Sequence, residues 1–297
     1  MDIAILILLT SIPILLMGFG LFLCYKSFGF SIAKITSCFT YDETSKIKPL
    51  SDIERNYIIE NIFPQRFYFL RSGRQYYTFI SEDRQFILKF FKIHAHQRAG
   101  IFNVLSRIFY QMLGFRQEMK DQLISAKVLS NYKYVYELLR EETAIVYLHL
   151  DKTYEFPASV TLIDEKGKEH ILDLNAIEFI VQRRAQKFYE HLNQLVKKGR
   201  YDDLTASIRS LFQLIATRCE KGFIDQNLDL RSFGFIDNKA VRFDCATLSY
   251  DPSIKYPLNF RNEVMEAAEK LQEWAQNNYA EATLSIQEEA QKVINQF

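Results

Sequence analysis

The sequence predicts an α+β protein with two unlike lobes, preceded by one transmembrane helix. Three observations carry that expectation. Short aromatic-rich runs separated by turn residues dominate the first half of the chain. Long runs with 3.6-residue apolar periodicity dominate the second half, with one small hairpin among them. Residues 3–24, "IAILILLTSIPILLMGFGLFLC", contain no charged side chain.

That apolar segment is long enough to cross a bilayer. At about 1.5 Å per residue it reaches roughly 33 Å, against a hydrocarbon core of about 30 Å. Pro13 and Gly18 weaken a helix in water but are tolerated in lipid. A cleaved signal peptide fits poorly, because no Lys or Arg precedes the run and no small-x-small site follows it. Phe22 and Leu23 before Cys24 are too bulky for a lipidation site. Asp2 precedes the segment while Lys26 and Lys34 follow it, so the positive-inside rule places the rest of the chain in the cytoplasm. The expectation is a single-pass membrane protein. Residues 1–25 are its anchor and contact lipid, and residues 26–50, without sustained period, are a linker or a pre-domain segment.

Residues 51–182 read as the first lobe. "RFYFLRSG", "QYYTFI" and "RQFILKFFK" are strands of an antiparallel meander, divided at Ser72-Gly73 and at Ser81-Glu82-Asp83. Residues 101–142 read as helix in two pieces meeting near Gly114. "AIVYLHL" is a further strand, "ASVTLIDEKGKEHILDL" is a hairpin turning at residues 165–168, and "IEFIVQRRA" is a last strand.

Residues 183–297 read as a helical lobe. In "DDLTASIRSLFQLIATRCEKG", Leu204, Ile208, Leu211, Phe212, Ile215 and Cys219 share one helical face. Asp202 or Asp203 is placed to cap the start, and Gly222 stands where the chain leaves the helix. Two more helices are expected over about residues 260–277 and 282–296.

Composition sets limits on partners and compartment. A net charge of +1 gives no global field for nucleic acid. The 25 Phe and 17 Tyr indicate a filled aromatic core. Cys24, Cys38, Cys219 and Cys245 form no C-x-x-C pair, which argues against a disulfide framework or zinc knuckle and suits a reducing compartment.

Two stretches carry chemistry. In "RQFILKFFK", strand alternation puts Ile87, Lys89 and Phe91 on one face. A lysine inside an apolar strand must find an anion or lose its charge, unless it snorkels to an edge or joins a plain salt bridge. In "GFIDQNLDLRSFGFIDNKAVRFDCATL", two short apolar runs flank a polar turn, Asp225 precedes them and Asp244 ends the second. Aspartates are common in turns. Asp244, however, ends an apolar run with no turn to explain it, which points to a cleft.

In the order of these elements the chain resembles the protein-kinase-like superfamily, in a degenerate bacterial-type form, over roughly residues 50–250. Residues 67–92 resemble its first three strands, with Gly73 in the phosphate-covering turn and Lys89 as the lysine that grips the α- and β-phosphates. "IEFIVQRRA" resembles the strand leading to the hinge. The helix at 202–221 matches the one before the catalytic loop, and residues 222–248 match the loop, its hairpin and the metal-binding segment. The resemblance implies ATP and magnesium as cofactors. It implies Gly73, Lys89, Ser232 and Asp244 as nucleotide contacts, with Asp244 and Ser232 as metal ligands.

The departures are as informative. Of the family's three glycines in the phosphate turn, the chain offers Gly73 alone, and Cys245-Ala246 follow Asp244 where the family has Phe-Gly. The best register sets Asp225-Gln226-Asn227 on the His-Arg-Asp triplet and Ser232 on the metal-binding Asn. Asn227 then stands where the base is lost, since an amide has no useful basicity. A shifted register makes Asp225 the base and leaves no metal ligand after it. Glu118 and Glu137 both fit the spacing of the family's lysine-pairing glutamate poorly.

Residues 92–117 form a basic insertion bearing Lys92, Arg98, Arg107 and Arg116. It reads as a helix with a core-facing side and a solvated basic side, with membrane contact as the alternative. About fifty residues follow Asp244, too few for the family's peptide-docking platform. The expected function is a membrane-anchored pseudokinase that binds ATP and acts as a sensing or scaffolding module with a protein partner. The alternatives are a small-molecule or glycolipid kinase at the membrane face and an interaction domain that binds no nucleotide.

Overall fold

The computed structural model describes residues 29–35, 47–73, 75–92, 126–150, 159–251, 253, 257–280 and 282–296. Ser51 opens the first helix, α1 (Asp52–Tyr57), with a reciprocal cap: its hydroxyl accepts from Glu54 N at 3.3 Å, and its own N–H reaches Glu54 Oε2 at 3.1 Å. A π-helical turn, Ile58–Ile62, follows and buries Ile58 and Ile62 completely.

The chain then forms β1 (Arg66–Ser72), β2 (Tyr76–Ser81) and β3 (Phe86–Phe91), the antiparallel meander expected from the sequence. Helices α2 (Ala126–Leu138) and α3 (Arg140–Thr143) lead into β4 (Ile145–His149). The hairpin β5 (Ser159–Ile163) and β6 (Glu169–Asp173) precedes β7 (Phe179–Arg183). Strand order is β4-β7-β3-β2-β1-β5-β6, antiparallel throughout except where β5 lies parallel to β1. The hairpin was legible in the sequence. Its position at the far edge of the sheet was not.

Alternation divides this sheet cleanly. One face carries Phe67, Phe79, Leu88, Phe90, Phe179 and Val181 into a core shared with Ile58, Ile62 and the hairpin residues Val160, Leu162 and Leu172. Each such side chain, fully buried, contributes about 1.5–3 kcal/mol. Ile35 joins this core and Phe30 packs edge-on against Tyr77 and Phe79, so residues 29–35 belong to the sheet's cover rather than to a linker. The other face carries Tyr76, Phe91 and Ile180 against Tyr132, Val135 and Tyr136 of α2.

After a two-residue strand β8 (Gln186–Lys187), the second half contains α4 (Phe188–Lys197) and α5 (Tyr201–Glu220). The sequence reading omitted α4, although Phe188, Leu192 and Leu195 bury one of its faces. Helix α5 starts at Arg200 without a side-chain cap, and Asp202 and Asp203 sit in its first turn instead. Gly222, at φ 80°, takes the left-handed conformation that ends it. Next come β9 (Phe223–Asp225), then β10 (Phe233–Ile236) and β11 (Lys239–Arg242), joined by Asp237 and Asn238 at φ 51° and 63°. Positive φ at both turn residues is what a two-residue hairpin requires. Strand β12 (Leu248–Tyr250) pairs with β9, and α6 (Pro257–Asn278) and α7 (Ala282–Gln296) close the lobe.

The expected membrane helix, like the basic insertion beyond Lys92 and the break near Gly114, lies outside the described residues. Among the described residues no helix is long and apolar enough to cross a membrane. The long helices α5 and α6 are amphipathic: each buries one face in the helical core and carries charged residues on the other. The expectation of a transmembrane helix and a single-pass localisation is corrected to that statement: none of the described helices crosses a membrane. The described fold is α+β with a mixed seven-stranded sheet and no membrane helix.

Candidate functional site

Strand register fixes the first group. Every residue of β3 is buried, and Lys89 lies between Thr78 of β2 and Ile180 of β7 on the face that meets α2. Lys89 is 4% exposed. Its ammonium donates to the Phe243 carbonyl at 2.5 Å and lies 5.1 Å from the centre of the Tyr76 ring. Burial lowers its pKa, and the charge of Asp244 pulls in the opposite direction.

Asp244 follows β11 in a segment clasped to the preceding loop. The amides of Phe243 and Asp244 both donate to the Ser232 carbonyl, at 3.1 and 3.3 Å. The Asp244 carboxylate accepts from the Tyr76 hydroxyl and from Ala246 N at 3.2 Å. Burial alone would raise its pKa; Lys89, Tyr76, Ala246 and Arg242 together hold it below the usual carboxylate value. The structure therefore brings Lys89, Asp244 and the backbone of Ser232 together, with Tyr76 as a partner that sequence reasoning missed. Burial pushes the Tyr76 phenol well above its ordinary range, so it stays a proton donor.

Tyr132 of α2 packs 5.1 Å from Phe91 beneath this group. Glu137 is exposed, and Glu118 lies outside the described residues.

Gly73 lies in the turn between β1 and β2. Its N–H closes a turn on the Tyr76 carbonyl at 2.9 Å, and its own carbonyl accepts from the Lys92 ammonium at 2.5 Å. A Cβ there would meet Tyr76 O at 3.4 Å, ordinary contact, so the space at this position does not demand glycine.

Asp225 forms a second centre. Its side chain is fully buried, with Arg242 Nη1 at 2.6 Å and Arg218 Nη1 at 3.4 Å from Oδ2. These are ion pairs rather than aligned hydrogen bonds. Oδ1 accepts from the Thr247 hydroxyl at 2.6 Å, which in turn accepts from Arg242 Nη2 at 2.9 Å. Glu263 on α6 pairs with Arg218 and accepts from Asp225 N at 3.5 Å. Burial raises the Glu263 pKa against the pull of Arg218.

Two buried arginines and two carboxylates thus tie α5, β9, β11 and α6 together. Arg218 and Arg242 were missed in the sequence, yet both interrupt apolar faces, at i+3 from Ile215 on α5 and two after Ala240 on β11. Asn227 is exposed and contributes its N–H to Asp225 Oδ1 at 3.3 Å.

Metal binding has little to build on. Among the described residues no group of three His, Cys, Asp or Glu could hold a metal ion. Asp244 is one carboxylate with an oxygen already engaged, so magnesium would fit only if ligand phosphates completed its shell. A groove of about 650 Å³ lies elsewhere, between α3, α5, β11 and the end of α7, and contains none of these residues.

No family model matches the chain, and no curated protein matches it. Among solved structures, the complex of Rv3197 with erythromycin from Mycobacterium tuberculosis is similar over 79% of this chain, with 12% identity and a TM-score of 0.30. The chain spans 61% of that structure. A likeness so slight carries no argument about either fold or function.

Proposed function

We propose that this chain is a kinase-like module without phosphoryl transfer, one that works by binding, as a sensing or scaffolding domain. The observation that carries the reading is the burial of Asp225. A general base must reach the proton it removes. Asp225 is sealed between Arg218 and Arg242, and the residue at the base position, Asn227, has no basicity. The small-molecule or glycolipid kinase alternative needs Asp225 as base and loses its support on the same ground.

Nucleotide retention is a second reading, favoured by one observation. Asp244 stays ionised beside Lys89, and among the described residues no carboxylate makes an ion pair with that lysine. ATP with magnesium would then be held through Lys89 and Asp244, after displacing Tyr76 from the carboxylate. The hydroxyl of Ser232 would be a weak addition to such a metal shell.

The test is ADP formation from ATP and magnesium by the chain and by Asp244→Asn. The reading predicts no ADP above the protein-free rate from either. ADP formed by the unmodified chain and lost in Asp244→Asn would overturn it.

A further inference from the structure

Helix α5 carries a second stripe besides its apolar one. Ser210, Gln213, Leu214 and Thr217 recur at i, i+3, i+4 and i+7, so they share one side of the helix. They floor the groove of about 650 Å³ that is walled by Glu142 of α3, Lys239 at the start of β11 and Gln296 at the end of α7. Binding pockets for drug-sized ligands run to about 300–1,000 Å³, and this groove falls within that range.

Its polar lining holds hydrogen-bonding capacity that the fold does not use. Among the described residues the side chains of Gln213, Thr217 and Gln296 make no hydrogen bond. Ser210 Oγ accepts from Ala240 N at 2.9 Å, which leaves its own proton to donate. Lys239 sits 3.7 Å from Glu141 Oε2 in a long, exposed ion pair, and its three ammonium donors make no hydrogen bond among the described residues. Glu142 is deeper. Its side chain is 14% exposed, Oε1 accepts from Lys221, and Oε2 is buried with no hydrogen-bond partner. The terminal torsion of a glutamate is broad, so a modest turn presents Oε2 to the groove while the pair with Lys221 persists.

This lining selects among ligand classes. The pairs Glu142–Lys221 and Glu141–Lys239 sum to zero charge, so the groove sets no field for a ligand of net charge. Lys239 is its one lining cation, too few for a phosphate clamp, and with no aromatic residue in the lining a nucleobase has no face to stack on. What the groove offers is amides and hydroxyls between an anionic oxygen on one wall and an ammonium on another. A short peptide carries the complementary set: N–H and C=O groups along its length, an ammonium at one end and a carboxylate at the other.

We propose that the groove between α3, α5, β11 and α7 binds a short peptide with free ends, its ammonium taken by Glu142 and its carboxylate by Lys239. The site shares no residue with the group around Lys89 and Asp244, so the outcome of the ADP assay leaves it untouched.

The experiment is calorimetric titration of the full chain with trialanine, with N-acetyl-trialanine, with trialanine amide and with sucrose. Lys239→Met and Thr217→Val are the variants. Neither side chain holds a hydrogen bond among the described residues, so both variants keep the parent's unfolding midpoint. Glu142 is tested from the ligand side, because replacing it would also break its pair with Lys221. Saturable binding of trialanine is expected, weakened roughly tenfold by N-acetylation, by C-terminal amidation and by Lys239→Met, and several-fold by Thr217→Val. In Lys239→Met, amidation should have no further effect. Absence of trialanine binding, or binding indifferent to both blocked ends and both variants, overturns the site. Saturable binding of sucrose in place of trialanine overturns the ligand class.

Discussion

Tyr76 and Asp244, 168 residues apart in the chain, are joined by a hydrogen bond from phenol to carboxylate. The bond ties β2 of the sheet to the segment that follows β11, across the face where Lys89 lies. A half-buried carboxylate needs such donors, because its desolvation is otherwise unpaid by water. Tyr76→Phe keeps the ring and removes the donor. The expected loss is about 1–3 kcal/mol in unfolding free energy, read from urea denaturation. A variant as stable as the parent would show that the bond contributes nothing.

Asp244 also predicts a pH dependence. Its folded pKa lies below the ordinary value of 3.8, so its stabilising contribution is complete above that value and is lost as pH falls through the lowered one. The stability gap between the parent and Asp244→Asn should hold steady from about pH 6 to about pH 4 and narrow below. A gap that stays constant down to about pH 3 would contradict the assigned direction.

Gly234 on β10 is required for packing rather than for φ. A Cβ there would sit 2.4 Å from Gln186 O and 3.0 Å from Ala185 Cβ, because β10 is squeezed between β11 and β8. Gly234→Ala must push backbone aside, and its midpoint of thermal unfolding should drop by the equivalent of about 1–3 kcal/mol. An unchanged midpoint would mean the β8 contact is dispensable.

Much of the frame was readable in the sequence, because its signals are local. Alternating aromatics set β1 to β3, the 3.6-residue spacing of Leu204, Ile208, Leu211 and Ile215 set α5, and Asp237-Asn238 supplied the two-residue turn. What escaped depends on long-range partners. That β5 would lie parallel to β1 follows from packing across the sheet, and no local pattern in Ser159–Ile163 encodes it.

The site divides in the same way. Lys89 and Asp244 stood out because each breaks an apolar run, and the fold brings both to one face. Asp225 was read from loop register, which says nothing about burial. Its arginine partners come from α5 and β11 and become visible only when those elements meet. Gly73 was read from a turn motif and lies in that turn; the donation from Lys92 to its carbonyl was not legible in the motif.

Asp225→Asn separates a structural carboxylate from a catalytic one most directly. Removing its charge leaves Arg218 and Arg242 buried with their shared counter-ion gone. The expected cost is about 3–5 kcal/mol of unfolding free energy, with no ADP formation to lose. A variant that unfolds like the parent but has lost an ATP turnover the parent possessed would contradict the account and make Asp225 a base.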